Sequence, residues 1–168
     1  MECVLRESRG KMKIQLIAVG GLKQDYARVG CTLFEKRLRH QCRFELIEVK
    51  DAKRSKRGDV SQWKAQEANH IRDALGSSSY WIALDERGAS WTSIHLSKKI
   101  EWAQNQSFSN LAFVIGGPDG LDPDLLASAP QKLALGPLTL PHELARLILL
   151  EQLYRAHSIL ENSPYHRI

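Results

Sequence analysis

Short apolar runs alternate along this chain with longer stretches whose apolar residues recur at helical spacing. Residues 14–19 are apolar apart from Gln15 and run into Gly20 and Gly21, which predicts a buried strand. Tyr26, Val29, Leu33 and Leu38 then recur at near-helical spacing among basic residues, predicting an amphipathic helix over 26–39. Phe44, Leu46, Ile47 and Val49 make a second strand, and 60–75 a polar helix opened by Asp59 as N-cap. Residues 80–84 form a third strand that ends in Asp85, Glu86, Arg87 and Gly88. A helix over 92–106 carries Ile94 and Ile100 among polar residues. A fourth strand over 111–115 is stopped by Gly116, Gly117 and Pro118; a short helix over 122–127 and a fifth strand over 132–135 follow. Pro141 then opens a long helix to about Leu160, with proline at the first helical position and Glu143 in the first turn.

Strand and helix alternate throughout, and the strands are short and apolar on both faces. That pattern predicts an α/β fold, a parallel sheet flanked by helices on both sides. Ligands of such sheets sit beyond the carboxyl ends of the strands, so the segments 84–88, 115–121 and 135–141 gain weight as places for chemistry. No internal repeat or low-complexity tract divides the chain. Residues 12–168 read as a single domain, 50–59 as a loop within it, and 1–11 as an N-terminal extension, either disordered or an artefact of the start site.

Composition narrows the class. Hydrophobic residues make up 43% and charged residues 26%, ordinary for a globular domain and unlike a disordered chain or coiled coil. No apolar run approaches the roughly 20 residues of a membrane span, and the most apolar stretch, 144–150, is interrupted by Arg146. Cys3, Cys31 and Cys42 form no CxxC pair, which suits a reducing compartment and argues against structural zinc. The first residues carry no secretory apolar core, so a cytoplasmic location is expected. The net charge of +5 favours encounter with polyanions without proving it.

Five stretches carry candidate chemistry. Ile115, Gly116, Gly117, Pro118, Asp119, Gly120 and Leu121 make a glycine-rich turn directly after a buried strand, where backbone can approach a ligand. The spacing fits neither a dinucleotide fingerprint nor a phosphate loop, and a plain tight turn reads the same way. Leu135, Gly136, Pro137, Leu138, Thr139, Leu140 and Pro141 form an apolar, backbone-rich segment that would suit an adenine ring, or would merely change the chain's direction. The last helix carries Leu144, Leu147, Ile148, Leu149 and Leu150 around much of its girth, more than one sheet face requires; a homodimer is the economical partner, unless the helix is wholly buried in its own domain. After Pro164, Tyr165, His166 and Arg167 bring together groups that stack on bases, carry protons and bind phosphate. Lys50, Lys53, Arg54, Lys56 and Arg57 form a basic loop able to neutralise phosphates, or simply a solvated one. The four tryptophans, Trp63, Trp81, Trp91 and Trp102, sit in separate elements and read as packing residues.

Taken in order, these motifs resemble one family, the ribosomal RNA large subunit methyltransferase H group of the SPOUT class. The likeness runs from about Met12 to Arg167 and rests on the glycine-rich turn 115–121, on Leu138, Thr139, Leu140, Pro141 and His142, on Leu153, Tyr154, Arg155 and Ala156, and on Pro164, Tyr165, His166 and Arg167. Residues before Met12 have no counterpart, His157 stands where the family often has tryptophan, and Ile168 extends the tail. The resemblance implies a C-terminal trefoil knot and an obligate homodimer. It further implies S-adenosylmethionine-dependent methylation of N3 of a pseudouridine in 23S rRNA on the assembled ribosome. It assigns Leu84, Gly116, Leu135, Gly136, Pro137, Leu138, Thr139 and Leu140 to the cofactor, and His142, Arg155, Tyr165, His166 and Arg167 to the reacting side.

Transfer from a sulfonium is a direct displacement that calls for alignment and no metal. On this reading Arg155 or Arg167 favours the imidate anion, and His142 or His166 accepts the proton. A SPOUT enzyme acting on another RNA such as tRNA, and a non-catalytic ribosome-binding factor, are the two other readings that the motifs leave open.

Overall fold

The computed structural model describes residues 12–55, 58–76, 79–106 and 108–166. The segment 1–11, Lys56, Arg57 and the expected site residue Arg167 lie outside the described residues. The elements follow the expected alternation: β1 (Lys13–Val19), α1 (Asp25–Gln41), β2 (Phe44–Val49), α2 (Val60–Leu75), β3 (Ser79–Ser90), α3 (Ser93–Asn105), β4 (Asn110–Ile115), α4 (Pro123–Ser128), β5 (Gln131–Ala134) and α5 (His142–Leu160). All strand pairs are parallel, in the order β2-β1-β4-β3-β5.

The period of two along the central strands sorts the core into two layers. Ile14, Leu16 and Ala18 of β1 and Leu111, Phe113 and Ile115 of β4 face α1, α3 and α5, meeting Cys31, Ile100, Leu149 and Leu153. Ile17 and Val19 with Ala112 and Val114 face the other way, against Ala68 and Ile71 of α2 and Leu125 and Leu126 of α4. Both layers are apolar, which is why the strands read as continuous apolar runs rather than as alternation. Asp59 caps α2 through the amide of Ser61 at 2.9 Å, as expected, and Asp122 caps α4 through Asp124 and Leu125, both at 3.0 Å.

Two local expectations are corrected. Pro141 is the residue before the last helix, with ψ 138, not its first helical residue. The stripe expected to bury α1 points mostly outward: Tyr26, Val29 and Leu33 are 51%, 72% and 46% exposed, and only Leu38 is buried. Small residues seat this helix instead, because Ala27 and Cys31 are fully buried and Gly30 lets Leu147 of α5 approach. A Cβ at Gly30 would come within 2.6 Å of Leu147 Cδ1.

β3 runs further than expected and is interrupted at the edge of the cleft described below. Leu133 of β5 pairs with both Leu84 and Ala89, so residues 85–88 leave the ladder as a bulge. β5 passes very close to that bulge: a Cβ on Gly88 would lie 2.7–2.8 Å from the backbone of Lys132 and Leu133. From β5 the chain turns back and α5 packs between α1 and α3 on one face of the sheet.

Candidate functional site

The expected meeting of loops at the carboxyl edge of the sheet is found. The bulge 85–88, the turn after β4 and the segment after β5 enclose a cleft of about 710 Å³. Of the eight residues assigned to the cofactor, Leu84, Gly116, Leu135, Gly136, Leu138, Thr139 and Leu140 line it; Pro137 is exposed and is not among the lining residues. His142 lines the same cleft from the first residue of α5. Asp85, Glu86, Arg87, Lys64 and Asp119 add charged groups that the sequence reading did not assign.

The glycine-rich turn has the shape it has because glycine permits it. Gly120 has φ +78, a region that side chains rarely tolerate, and its amide returns to Gly117 O at 2.9 Å. A Cβ on Gly116 would lie 2.8 Å from Gly120 C and Leu121 N, so a larger residue would force the turn open. Gly136, with φ +139, sets the opposite wall in the same way. The two walls also touch: Thr139 Oγ1 donates to Glu86 Oε2 at 2.7 Å. Leu138 is 72% exposed at the rim.

The N-terminal end of α5 is fixed from beneath. The amides of Lys23 and Gln24 donate to Glu143 Oε2 at 3.0 and 2.9 Å, joining α5 to the start of α1. Arg146, 1% exposed, donates to Gly20 O at 2.6 Å and pairs with Glu48. Burial raises the Glu143 carboxyl, but the two amides and the His142 and Arg146 charges outweigh it and hold it low. Burial pushes the pKa of His142 below the ordinary histidine value; Arg146, Lys23 and Arg54 push the same way, with Glu143 opposing. The imidazole at the cleft is therefore held neutral, able to accept a proton.

Of the other residues expected on the reacting side, Arg155, Tyr165 and His166 do not line the cleft in this chain. Arg155 is thirteen residues further along α5, roughly 20 Å at 1.5 Å per residue. There Glu151 gathers the group: Arg155 Nε donates to its Oε1 at 3.0 Å and Tyr165 Oη to the same oxygen at 3.0 Å. Arg155 Cζ stands 4.7 Å from the Tyr165 ring centroid, and that ring meets Tyr154 edge-on, also at 4.7 Å. Gln152 bonds Glu151 at 2.6 Å and accepts from Ser93 at 2.6 Å, extending the network to α3. Burial raises the Tyr165 hydroxyl, and its bond to the Glu151 carboxylate adds to that, so it stays protonated. His166 follows Tyr165, and neither of its ring nitrogens has a hydrogen-bond partner among the described residues. Glu151 was missed in the sequence although its spacing to Arg155 is a standard helical ion pair.

Comparison with known proteins agrees with this architecture. The family described as "Predicted SPOUT methyltransferase" matches residues 12–166. The ribosomal RNA large subunit methyltransferase H of Hydrogenovibrio crunogenus is 41% identical over 157 residues, covering 93% of this chain and 99% of its own. The protein of the same name from Paraburkholderia phymatum is 42% identical over 157 residues, covering 94% of this chain and 100% of its own. Among solved structures, a probable methyltransferase from Bordetella pertussis Tohama I superposes with a TM-score of 0.55 at 14% identity, over 87% of this chain and 96% of that one. A probable methylase family protein from Haemophilus influenzae Rd KW20 gives 0.52 at 16%, over 94% and 70%. With relatives of this identity aligned from end to end, the chain belongs to the ribosomal RNA large subunit methyltransferase H family of SPOUT methyltransferases.

Proposed function

We propose that this protein transfers a methyl group from S-adenosylmethionine to N3 of a pseudouridine in the large-subunit ribosomal RNA, on the ribosome and hence in the cytoplasm. The observation that carries this reading is the cleft at the sheet's carboxyl edge, where loops from three strands converge on residues that the family motifs assign to the cofactor. Its composition fits the group: apolar side chains of Leu84, Leu135, Leu138 and Leu140 for an adenine ring, and glycine backbone at 116–120 and 136 for close polar contact. Bound there, S-adenosylmethionine supplies an electrophilic methyl group on a sulfonium.

The protein's own residues must then align and deprotonate the nucleophile. An imide nitrogen attacks only after losing its proton, and neutral His142 at the cleft fits the acceptor. Arg155, held against Tyr165 by Glu151, fits stabilisation of the imidate, and the Tyr165 ring fits the base. Arg167, outside the described residues, would add a second cation.

Because His142 and Arg155 stand at opposite halves of one helix, a complete reaction centre needs the tail of a second copy. The outward stripe of Tyr26, Val29 and Leu33 on α1, beside half-buried Leu144, Leu147 and Ile148 of α5, offers the apolar surface on which a homodimer would form. The close passage of β5 past Gly88 suits the trefoil knot expected of the class.

The test is calorimetric titration with S-adenosylmethionine, followed by transfer of labelled methyl to ribosomes lacking the modification and mapping of the labelled nucleotide. Saturable binding and label at one pseudouridine are expected. Absence of binding at millimolar cofactor, with or without ribosomes, would exclude the enzyme reading; label on tRNA alone would exclude the target.

A further inference from the structure

The glycine-rich turn that walls the cleft is tied from within by the Gly120 amide, which donates to Gly117 O at 2.9 Å. Between Gly116 and Gly120 the side chains are those of Pro118 and Asp119, and glycine costs more conformational entropy to order than any other residue. A contact from outside the turn would hold it more firmly in place before a ligand arrives.

That outside contact is Arg54, sixty-five residues away in the basic segment after β2. Its Nε and Nη2 both donate to Asp119 Oδ2, at 3.0 and 2.8 Å. The guanidinium is backed on its other side by Glu67 of α2, 3.5 Å from Nη2, whose side chain is only 4% exposed. Glu67 is itself fixed, since Ala52 N donates to its Oε1 at 3.0 Å. The Trp63 ring lies 5.8 Å from Arg54 Cζ. A Cβ on Gly117 would lie 3.2 Å from Glu67 Oε2 and 3.5 Å from Arg54 Nη2, so the pair stands directly against the turn. One cation between two carboxylates, one on a rigid helix and one on the turn, is a brace.

We propose that Arg54 is a positioning residue: it holds the glycine-rich turn, through Asp119, in the conformation that binds the cofactor. The basic segment thus has a division of labour. Lys50 and Lys53 are exposed and face solvent, while Arg54 is spent on the turn and touches neither substrate nor the reacting atoms. This inference rests on the cofactor reading of the cleft.

Calorimetric titration with S-adenosylmethionine, without RNA, separates the roles. Arg54→Ala should raise the Kd about tenfold, within the usual range of coupling between neighbouring sites. Asp119→Ala should do about the same, the double variant should lose no more than either single one, and Arg54→Lys should recover part of the affinity. A phosphate-binding role would instead leave the Kd unchanged and raise KM for ribosomes. A merely structural role would lower the melting temperature of both variants and leave the Kd alone. Either result, or additive losses in the double variant, overturns the proposal. If Arg54→Ala folds poorly, Asp119→Asn gives the same reading from the other partner. Wild-type protein that binds no cofactor would remove both the brace and the reading beneath it, whereas wild-type binding matched by both variants removes the brace alone.

Discussion

At its first turn α5 presents His142 to a cleft of glycine backbone and leucine side chains, whereas thirteen residues later it presents Arg155 to a carboxylate and the Tyr165 ring. The first region is assembled from three loops spread over nearly sixty residues and pairs apolar side chains and glycine backbone with charged groups at 85–87 and 119; the second comes from one helix and the tail that folds back onto it, and is built around an ion pair. A methyl donor needs the first kind of surface and an RNA anion the second, yet one chain holds them roughly 20 Å apart along the helix. On the proposed roles, this separation argues for a second copy, since neither end of the helix would carry both halves of the chemistry.

That comparison can be broken most forcefully at Gly116. Gly116→Val places atoms where Gly120 C and Leu121 N already sit at 2.8 Å from the first added carbon, so cofactor affinity should fall about 100-fold or more in a calorimetric titration, with the tail unaffected. Arg155→Ala should reverse the pattern, lowering kcat on ribosomes about 100-fold while leaving the cofactor Kd within twofold. Equal loss of both parameters would mean that the two regions are not separable.

Co-expressing these two inactive chains with different tags sharpens the point. Mixed dimers should make up half the population with one intact site of two, restoring about one quarter of wild-type turnover. No recovery in purified mixed dimers would show that cleft and tail must come from the same chain.

Acidity distinguishes the ends by a smaller margin. Burial lowers the His142 pKa, so the neutral, proton-accepting form should persist below the ordinary value of 6.5, and turnover should hold through pH 6.5 and fall only at lower pH. His142→Gln should abolish that acid limb in a pH–rate profile; a wild-type midpoint at or above 6.5 would contradict the argument. The mildest change is Thr139→Val, which removes the 2.7 Å bond to Glu86 between the two cleft walls. An exposed bond of this kind is worth about 1 kcal/mol at most, so the cofactor Kd should shift by about fivefold or less.

Much of this was legible in the residues. The short apolar runs of β1 and β4, the cap at Asp59, and the glycine and proline stops placed most of the elements within a few residues. The α1 stripe was misjudged because periodicity reports which residues share a face and says nothing about which face is buried; Ala27, Gly30 and Cys31, too small to dominate the pattern, are what fit against α5. The bulge in β3 was read as the strand's end, since pairing of Leu133 with both Leu84 and Ala89 is a property of two strands and not of one.

The sequence by itself determined the alternation of elements and the glycines whose backbone angles the cleft walls require, because each depends on residues near one another in the chain. Only the tertiary structure decided that three loops meet in one cleft, that Arg54 reaches Asp119 across sixty-five residues, and that His142 stands apart from Arg155. Those facts follow from strand order and helix packing, where the apolar layers on both faces of the sheet fix distances that no local pattern encodes.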